Sequence, residues 1–236
     1  MSLPVALLVG GLATRLLPLT KKTPKSLVKV AGEYFINYQL RYLRQQGISE
    51  VVLCLGHLGE QIEAVVGDGS TYELTVHYSW DGEAPLGTGG AIKQALPYLG
   101  ETFFILYGDS YLPIDFAEVE RAFFKSNRPA LMTVFKNMNQ GDKSNVLFNE
   151  NTVIEYNKNQ PLPEMNYIDY GLSILSASLL NSLPKGKAFD LADLFHELSL
   201  RGELAGHEVF EPFYEIGSIT GLNETAKYLK NSLKLN

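Results

Sequence analysis

At 236 residues, with 45% hydrophobic and 19% charged side chains, the chain is long enough to bury one full core and reads as a single domain over residues 1–236. A formal net charge of −6 argues against a nucleic-acid partner, and no segment reaches the length of a membrane span. The one cysteine, Cys54, cannot form an internal disulfide; with an amino terminus that lacks a secretory pattern, this predicts a cytoplasmic protein.

Pro4 to Val9 is an apolar run suited to a strand buried on both faces, and Gly10-Gly11 then let the backbone turn with nothing projecting from Cα. Bare amides at the carboxyl end of such a strand form an anion site. Thr14 and Arg15 follow, then a loop from Pro18 to Pro24 that ends in Lys25 and reads as a lid over a triphosphate. The alternative is a plain turn followed by a solvated basic loop. Tyr34 to Gln46 has helical spacing, Val51 to Leu55 reads as a strand and Gly59 to Val66 as a helix. His57, just past the second strand, reads as a loop histidine.

Leu74 to Tyr78 is a third strand, leading into the loop from Trp80 to Gly90, with a helix from Ala91 to Leu96. The glycines of that loop supply amides and room for a flat ligand, or merely let helix and strand pack. Phe103 to Tyr107 is a strand that ends in Gly108-Asp109-Ser110. A carboxylate there is well placed for magnesium, which takes hard oxygens and few protein ligands; capping the next turn is the alternative. After a helix over Ile114 to Lys125 and a strand over Ala130 to Phe135, the alternation changes. Asn145 to Phe148 and Thr152 to Tyr156 read as a hairpin, and Tyr167 to Leu175 as a further strand, which predicts an antiparallel extension. A helix over Asp190 to Leu200, strands over Leu204 to Phe210 and Phe213 to Ile216, and a helix over Thr220 to Leu233 complete the chain.

Several of these segments resemble the signatures of the sugar-1-phosphate nucleotidyltransferases, also called sugar-nucleotide pyrophosphorylases. They are GGLATRL (Gly10 to Leu16), PKSL (Pro24 to Leu27), the Ala31-Gly32 pair, LGTGGA (Leu86 to Ala91), GDS, EYNK with Pro161, IDYG (Ile168 to Gly171) and FYEIGS (Phe213 to Ser218). The resemblance covers residues 4 to 225. It implies an α/β nucleotide-diphospho-sugar transferase fold: one Rossmann-like domain with a mixed, mostly parallel sheet flanked by helices and a small antiparallel sugar-binding extension. Residues 1–135 would form the nucleotide half and 136–236 the sugar-phosphate half.

The roles implied for single residues follow the motifs. Gly10, Gly11, Leu12, Glu83, Gly87 and Thr88 would bind the nucleotide, and Arg15, Lys25 and Asp109 would be catalytic. Asn157, Lys158, Asp169 and Gly171 would hold the sugar phosphate, and Asp109 with Glu215 would hold Mg2+. Four positions depart from the pattern: Ala13 replaces glycine, Asn157 glutamate, Asp169 asparagine and Glu215 aspartate. The expected partners are a nucleoside triphosphate and a sugar 1-phosphate, with GTP and heptose 1-phosphate favoured over UTP and an amino-sugar 1-phosphate. The protein would be a monomer or homodimer. A metal-dependent glycosyltransferase and a non-catalytic nucleotide-sugar binding protein are the rival classes.

Overall fold

The computed structural model describes residues 2–11, 16, 20–137 and 143–232. It opens with β1 (Val5–Leu8), a 3-10 turn at Lys25–Leu27, a ribbon of β2 (Lys29–Val30) and β3 (Glu33–Tyr34), and α1 (Phe35–Gln45). Next come β4 (Glu50–Leu55), α2 (Gly59–Val66), β5 (Thr75–Trp80), α3 (Gly87–Leu99), β6 (Thr102–Tyr107), β7 (Ser110–Tyr111) and α4 (Phe116–Ser126). The later half holds β8 (Ala130–Lys136), β9 (Val146–Asn149), β10 (Thr152–Tyr156), β11 (Tyr167–Ser176), α5 (Ser178–Asn181), α6 (Leu191–Leu200), β12 (Leu204–Val209), β13 (Tyr214–Glu215) and α7 (Ile219–Ser232).

Nine strands form one mixed sheet in the order β5-β4-β1-β6-β11-β8-β12-β10-β9. The first four are parallel, so their carboxyl ends share one edge, where open α/β sheets bind ligands. β11 then runs antiparallel to β6 and β8, while β12 is parallel to β8. The mixed sheet with an antiparallel extension matches the sequence expectation.

Alternation along the strands decides what each face buries. Leu7, Leu53 and Leu106 pack with Ile36 and Leu40 of α1, Ile62 of α2 and Phe116 of α4. Ala6, Val52 and Ile105 point the other way, onto Ile92 and Ala95 of α3 and Phe195 of α6. The result is a helix–sheet–helix sandwich with both sheet faces covered. Among the described residues, no helix is long and apolar enough to cross a membrane.

Two boundaries differ from the sequence reading for a physical reason. α3 begins at Gly87, so Gly87 to Gly90 form its first turn and not a loop. A side-chain carbon on Gly89 would fall inside the Phe189 ring, and one on Gly90 would lie 2.9 Å from the Lys187 carbonyl oxygen. Close packing against the segment before α6 therefore demands these glycines. In β11 the pairing with β8 shifts between Asp169 and Ser173, a bulge containing Gly171 at φ +107°.

Candidate active site

Because β1, β4, β5 and β6 stop along one edge, the turns after them meet. They enclose a cleft of about 840 Å³ lined by Gly10, Gly11, Gly56, Asp81, Glu83, Gly87, Thr88, Tyr107, Asp109 and Lys25, among others. Gly10 is needed for the approach of two turns, since a side-chain carbon there would lie 2.9 Å from the Gly56 nitrogen. Among the described residues, nothing lies within 4 Å of where a side-chain carbon on Gly11 would stand. Among the described residues the amides of Gly10 and Gly11 make no hydrogen bond, which leaves two donors at the cleft for an anion.

Lys25, set by Pro24 and the 3-10 turn, places Nζ 2.5 Å from Asp109 Oδ2. Its side chain is 16% exposed and that of Asp109 is 34% exposed, so the pair sits at the wall of the cleft. β13 pairs with β7, bringing Glu215 opposite Ser110, and the Ile216 N–H donates to the Asp109 carbonyl at 2.9 Å. The Glu215 carboxylate accepts the Gly217 N–H and the Ser218 hydroxyl, the latter at 2.6 Å. A side-chain carbon on Gly217 would lie 2.5 Å from Glu215 Oε2, 2.7 Å from Lys25 Nζ and 3.7 Å from Asp109 Oδ2. Two carboxylates and a lysine thus converge on one point. Asp109 and Glu215 offer the hard oxygens a divalent cation takes, at the low protein-ligand count usual for magnesium.

Just past β5, Asp81 accepts the Leu86 N–H at 3.4 Å. Burial pushes its carboxyl up, partly offset by that bond. Glu83 is exposed beside it. The Thr88 hydroxyl donates to Asp190 Oδ1 at 2.7 Å and accepts the Leu191 N–H at 2.8 Å. Asp190 also caps α6 through the Ala192 N–H, and its other oxygen meets Lys158 Nζ at 3.4 Å. Burial alone would raise the Asp190 carboxyl, but the Ala192, Thr88 and Lys158 contacts hold it below its ordinary value.

The antiparallel half comes alongside through the bulge. Asp169 Oδ1 accepts the Gly171 N–H at 3.0 Å, and the Asp169 N–H donates to Asn145 Oδ1 at 3.1 Å. Burial pushes the Asp169 carboxyl up to about 6 against the opposing pull of the Gly171 amide and Lys158. A side-chain carbon on Gly171 would lie 3.8 Å from both Ser110 Oγ and the Tyr107 ring. Tyr107 is raised well above its ordinary value by burial and then by Asp169, Tyr156, Asp190 and Asp109, so several acidic groups surround one phenol. Asn157 is used locally: its oxygen accepts the Gln160 N–H at 2.8 Å and its amide donates to Glu155 at 3.3 Å.

Gly10, Gly11, Lys25, Glu83, Gly87, Thr88 and Asp109 therefore share one cleft. Glu215 borders it through Gly217, Lys158 joins it through Asp190 and Thr88, and Gly171 abuts Tyr107 and Ser110. Leu12 and Arg15, with Ala13, Thr14 and part of the segment from Pro18 to Pro24, lie outside the described residues. His57 also lines the cleft. Cys54 lies at the cleft wall with its thiol pushed up to about 12 by burial, unsuited to act as a nucleophile. Sequence reasoning singled out neither Asp81, Tyr107 nor Asp190 as a site residue. Each carries a signal: Asp81 follows and Tyr107 ends a parallel strand, and Asp190 precedes a helix as an N-cap.

The sequence profile of the nucleotidyl transferase family matches residues 5–181. N-acetylmuramate alpha-1-phosphate uridylyltransferase of Neisseria meningitidis is 43% identical over 111 residues, so that match spans 47% of this chain and 48% of that protein. D-glycero-alpha-D-manno-heptose 1-phosphate guanylyltransferase of Campylobacter jejuni is 28% identical over 192 residues, spanning 81% of this chain and 84% of that one. The crystal structure of HddC from Yersinia pseudotuberculosis superposes with a TM-score of 0.81 at 23% identity, covering 97% of this chain and all of that chain, a likeness of fold. The chain belongs to the nucleotidyl transferase family, among relatives that are sugar-1-phosphate nucleotidyltransferases.

Proposed function

We propose that this protein transfers a nucleotidyl group from a nucleoside triphosphate to a sugar 1-phosphate, releasing pyrophosphate. The observation that carries the reading is the Lys25–Asp109 pair at 2.5 Å, set in the same cleft as the Gly10 and Gly11 amides, which make no hydrogen bond among the described residues. A phosphate oxygen of the sugar attacks the α-phosphorus in line and pyrophosphate departs opposite. The attacking group is already an anion, so no protein nucleophile is needed and the work is positioning and charge neutralisation. Two unit charges about 4 Å apart repel by about 4 kcal/mol at an effective dielectric of 20, so several cations are required.

Lys25 and, by resemblance, Arg15 neutralise the triphosphate, while the Gly10 and Gly11 amides hold its oxygens. Lys158 takes the sugar phosphate, with Asn157, Asp169 and Gly171 at the ring. Asp109 and Glu215 are the residues that would hold Mg2+, which supplies positive charge to the phosphate oxygens when bound. Residues 1–135 form the nucleotide half and 136–236 the sugar half of one domain. The protein would act as a monomer or homodimer in the cytoplasm.

GTP with heptose 1-phosphate is the favoured pair. The Campylobacter jejuni relative, matched over most of both chains, is named for these substrates, and Asp81 offers guanine an acceptor for its adjacent N1–H and N2–H donors. The second reading, UTP with N-acetylmuramate 1-phosphate, is favoured by the higher identity to the Neisseria meningitidis protein. A screen of GTP, UTP, ATP, CTP and dTTP against several sugar 1-phosphates, read as pyrophosphate release, decides between them. Pyrophosphate release with no pair would remove the transferase reading and leave a nucleotide-sugar binding protein.

A further inference from the structure

The sugar half of the cleft carries a charge pattern that says more about its substrate than the family does. Asp169 is fixed by the bulge, with its amide bonded to Asn145 and Oδ1 bonded to Gly171, while Oδ2 has no hydrogen-bond partner among the described residues. Gly171 then packs against the Tyr107 ring, which lines the cleft. Asp190, which also acts on the Tyr107 phenol, is bonded to Thr88 and lies 3.4 Å from Lys158 Nζ. Asp190 uses both oxygens on Thr88, Ala192 and Lys158, whereas Asp169 keeps one oxygen open, and Lys158 is the single cation that acts on either carboxylate among the described residues.

Given the nucleotidyl-transfer reading, on which this rests, we propose that Asp169 screens the sugar by charge: the site takes neutral, hydroxyl-rich sugar 1-phosphates and rejects those whose ring carries a carboxylate. Lys158 is occupied by the sugar's phosphate, so a carboxylate on the ring meets Asp169 with no cation left to separate them. Hydroxyl groups, by contrast, donate to the Asp169 oxygen that makes no hydrogen bond among the described residues. Protonating Asp169 would relieve the clash, and the screen is accordingly strongest at pH 8, above the value of about 6 to which burial brings that carboxyl. The chemistry separates the two kinds of substrate named for the relatives. The lactyl group of N-acetylmuramate is a carboxylate, whereas a heptose carries only hydroxyls.

The test is calorimetric binding at pH 8 in the presence of MgCl2 and a non-hydrolysable triphosphate, GTP- and UTP-derived in turn. The probes are N-acetylmuramic acid 1-phosphate, its lactyl amide, and D-glycero-D-manno-heptose 1-phosphate. The acid and its amide are nearly equal in size and differ in charge. The expected result is that the amide binds at least about tenfold tighter than the acid, that heptose 1-phosphate binds measurably, and that Asp169→Asn narrows the acid–amide gap to about threefold or less. Equal binding of acid and amide to the native protein, a gap unchanged in Asp169→Asn, or no binding by any of the three would overturn the proposal. Pyrophosphate release is scored separately. Selective binding without turnover would sink the transferase reading and leave the charge screen standing.

Discussion

The Thr88 hydroxyl and the Asp190 carboxylate meet at 2.7 Å across 102 residues of chain, fastening the first turn of α3 to the first turn of α6. Through the second Asp190 oxygen this contact extends to Lys158. One carboxylate thus holds both the Thr88 hydroxyl and the Lys158 cation, which in the proposed function serve the nucleotide and the sugar phosphate. Replacing Asp190 by Asn keeps an N-cap but removes the charge that holds Lys158. We expect Asp190→Asn to raise KM for the sugar 1-phosphate by about tenfold while KM for the triphosphate changes by less than about threefold. Equal effects on both KM values would mean that the contact serves stability alone.

In the proposed mechanism Lys25 and Asp109 act at the reacting phosphates, so their loss is expected in turnover. Lys25→Ala and Asp109→Asn should each lower kcat for pyrophosphate release by at least about a hundredfold, the size of one electrostatic transition-state contact. Circular dichroism should show both variants folded, since the pair lies at the cleft wall and is partly exposed. A near-normal rate in either removes that residue from the catalytic set.

Asp169 gives a pH-dependent stability prediction. Its carboxyl is held near 6 by burial, above the ordinary value of 3.8. Between those values the folded protein holds the proton more tightly than the unfolded chain does, so this group's contribution to stability falls as pH rises through the window and is constant above it. Asp169→Asn removes the charge and can keep the Gly171 bond. It should therefore stabilise the protein at pH 8 by on the order of 2 kcal/mol in urea titrations, with the gain largely gone at pH 4. A gain of the same size at both pH values would contradict this account of the burial cost.

Gly89 faces the Phe189 ring with no room for a methyl group. Gly89→Ala should cost about 1–3 kcal/mol as overpacking and lower Tm. Adding Phe189→Leu should recover part of that loss, because the clash is with the ring itself. Additive losses in the double variant would place the cost elsewhere.

The sequence reading located most of this architecture because the parallel half is built from local signals. Apolar runs bounded by turns and followed by helically spaced apolar residues give β1, β4, β5 and β6 to within two residues at each end, while the short β2–β3 ribbon carries no such signal. The tips of those strands then carry the candidate residues, and Asp109 is legible for that reason. What was not legible depends on distant contacts. The glycines after Leu86 read as a loop because nothing local reveals that Phe189 packs onto them, and their helical conformation is set by that contact. Asp190 reads only as a helix cap, since its bonds to Thr88 and Lys158 join segments far apart in the chain. Asn157 carries a motif position, yet its side chain closes its own turn with Gln160.

The most direct test of the central claim is pyrophosphate release by the native protein with MgCl2, a nucleoside triphosphate and a neutral sugar 1-phosphate, with sugar-free and EDTA-treated controls. Sugar-dependent, metal-dependent release accompanied by a nucleoside-diphosphate sugar is the predicted result. Triphosphate hydrolysis that is indifferent to the sugar, or a product without the sugar attached, would contradict it.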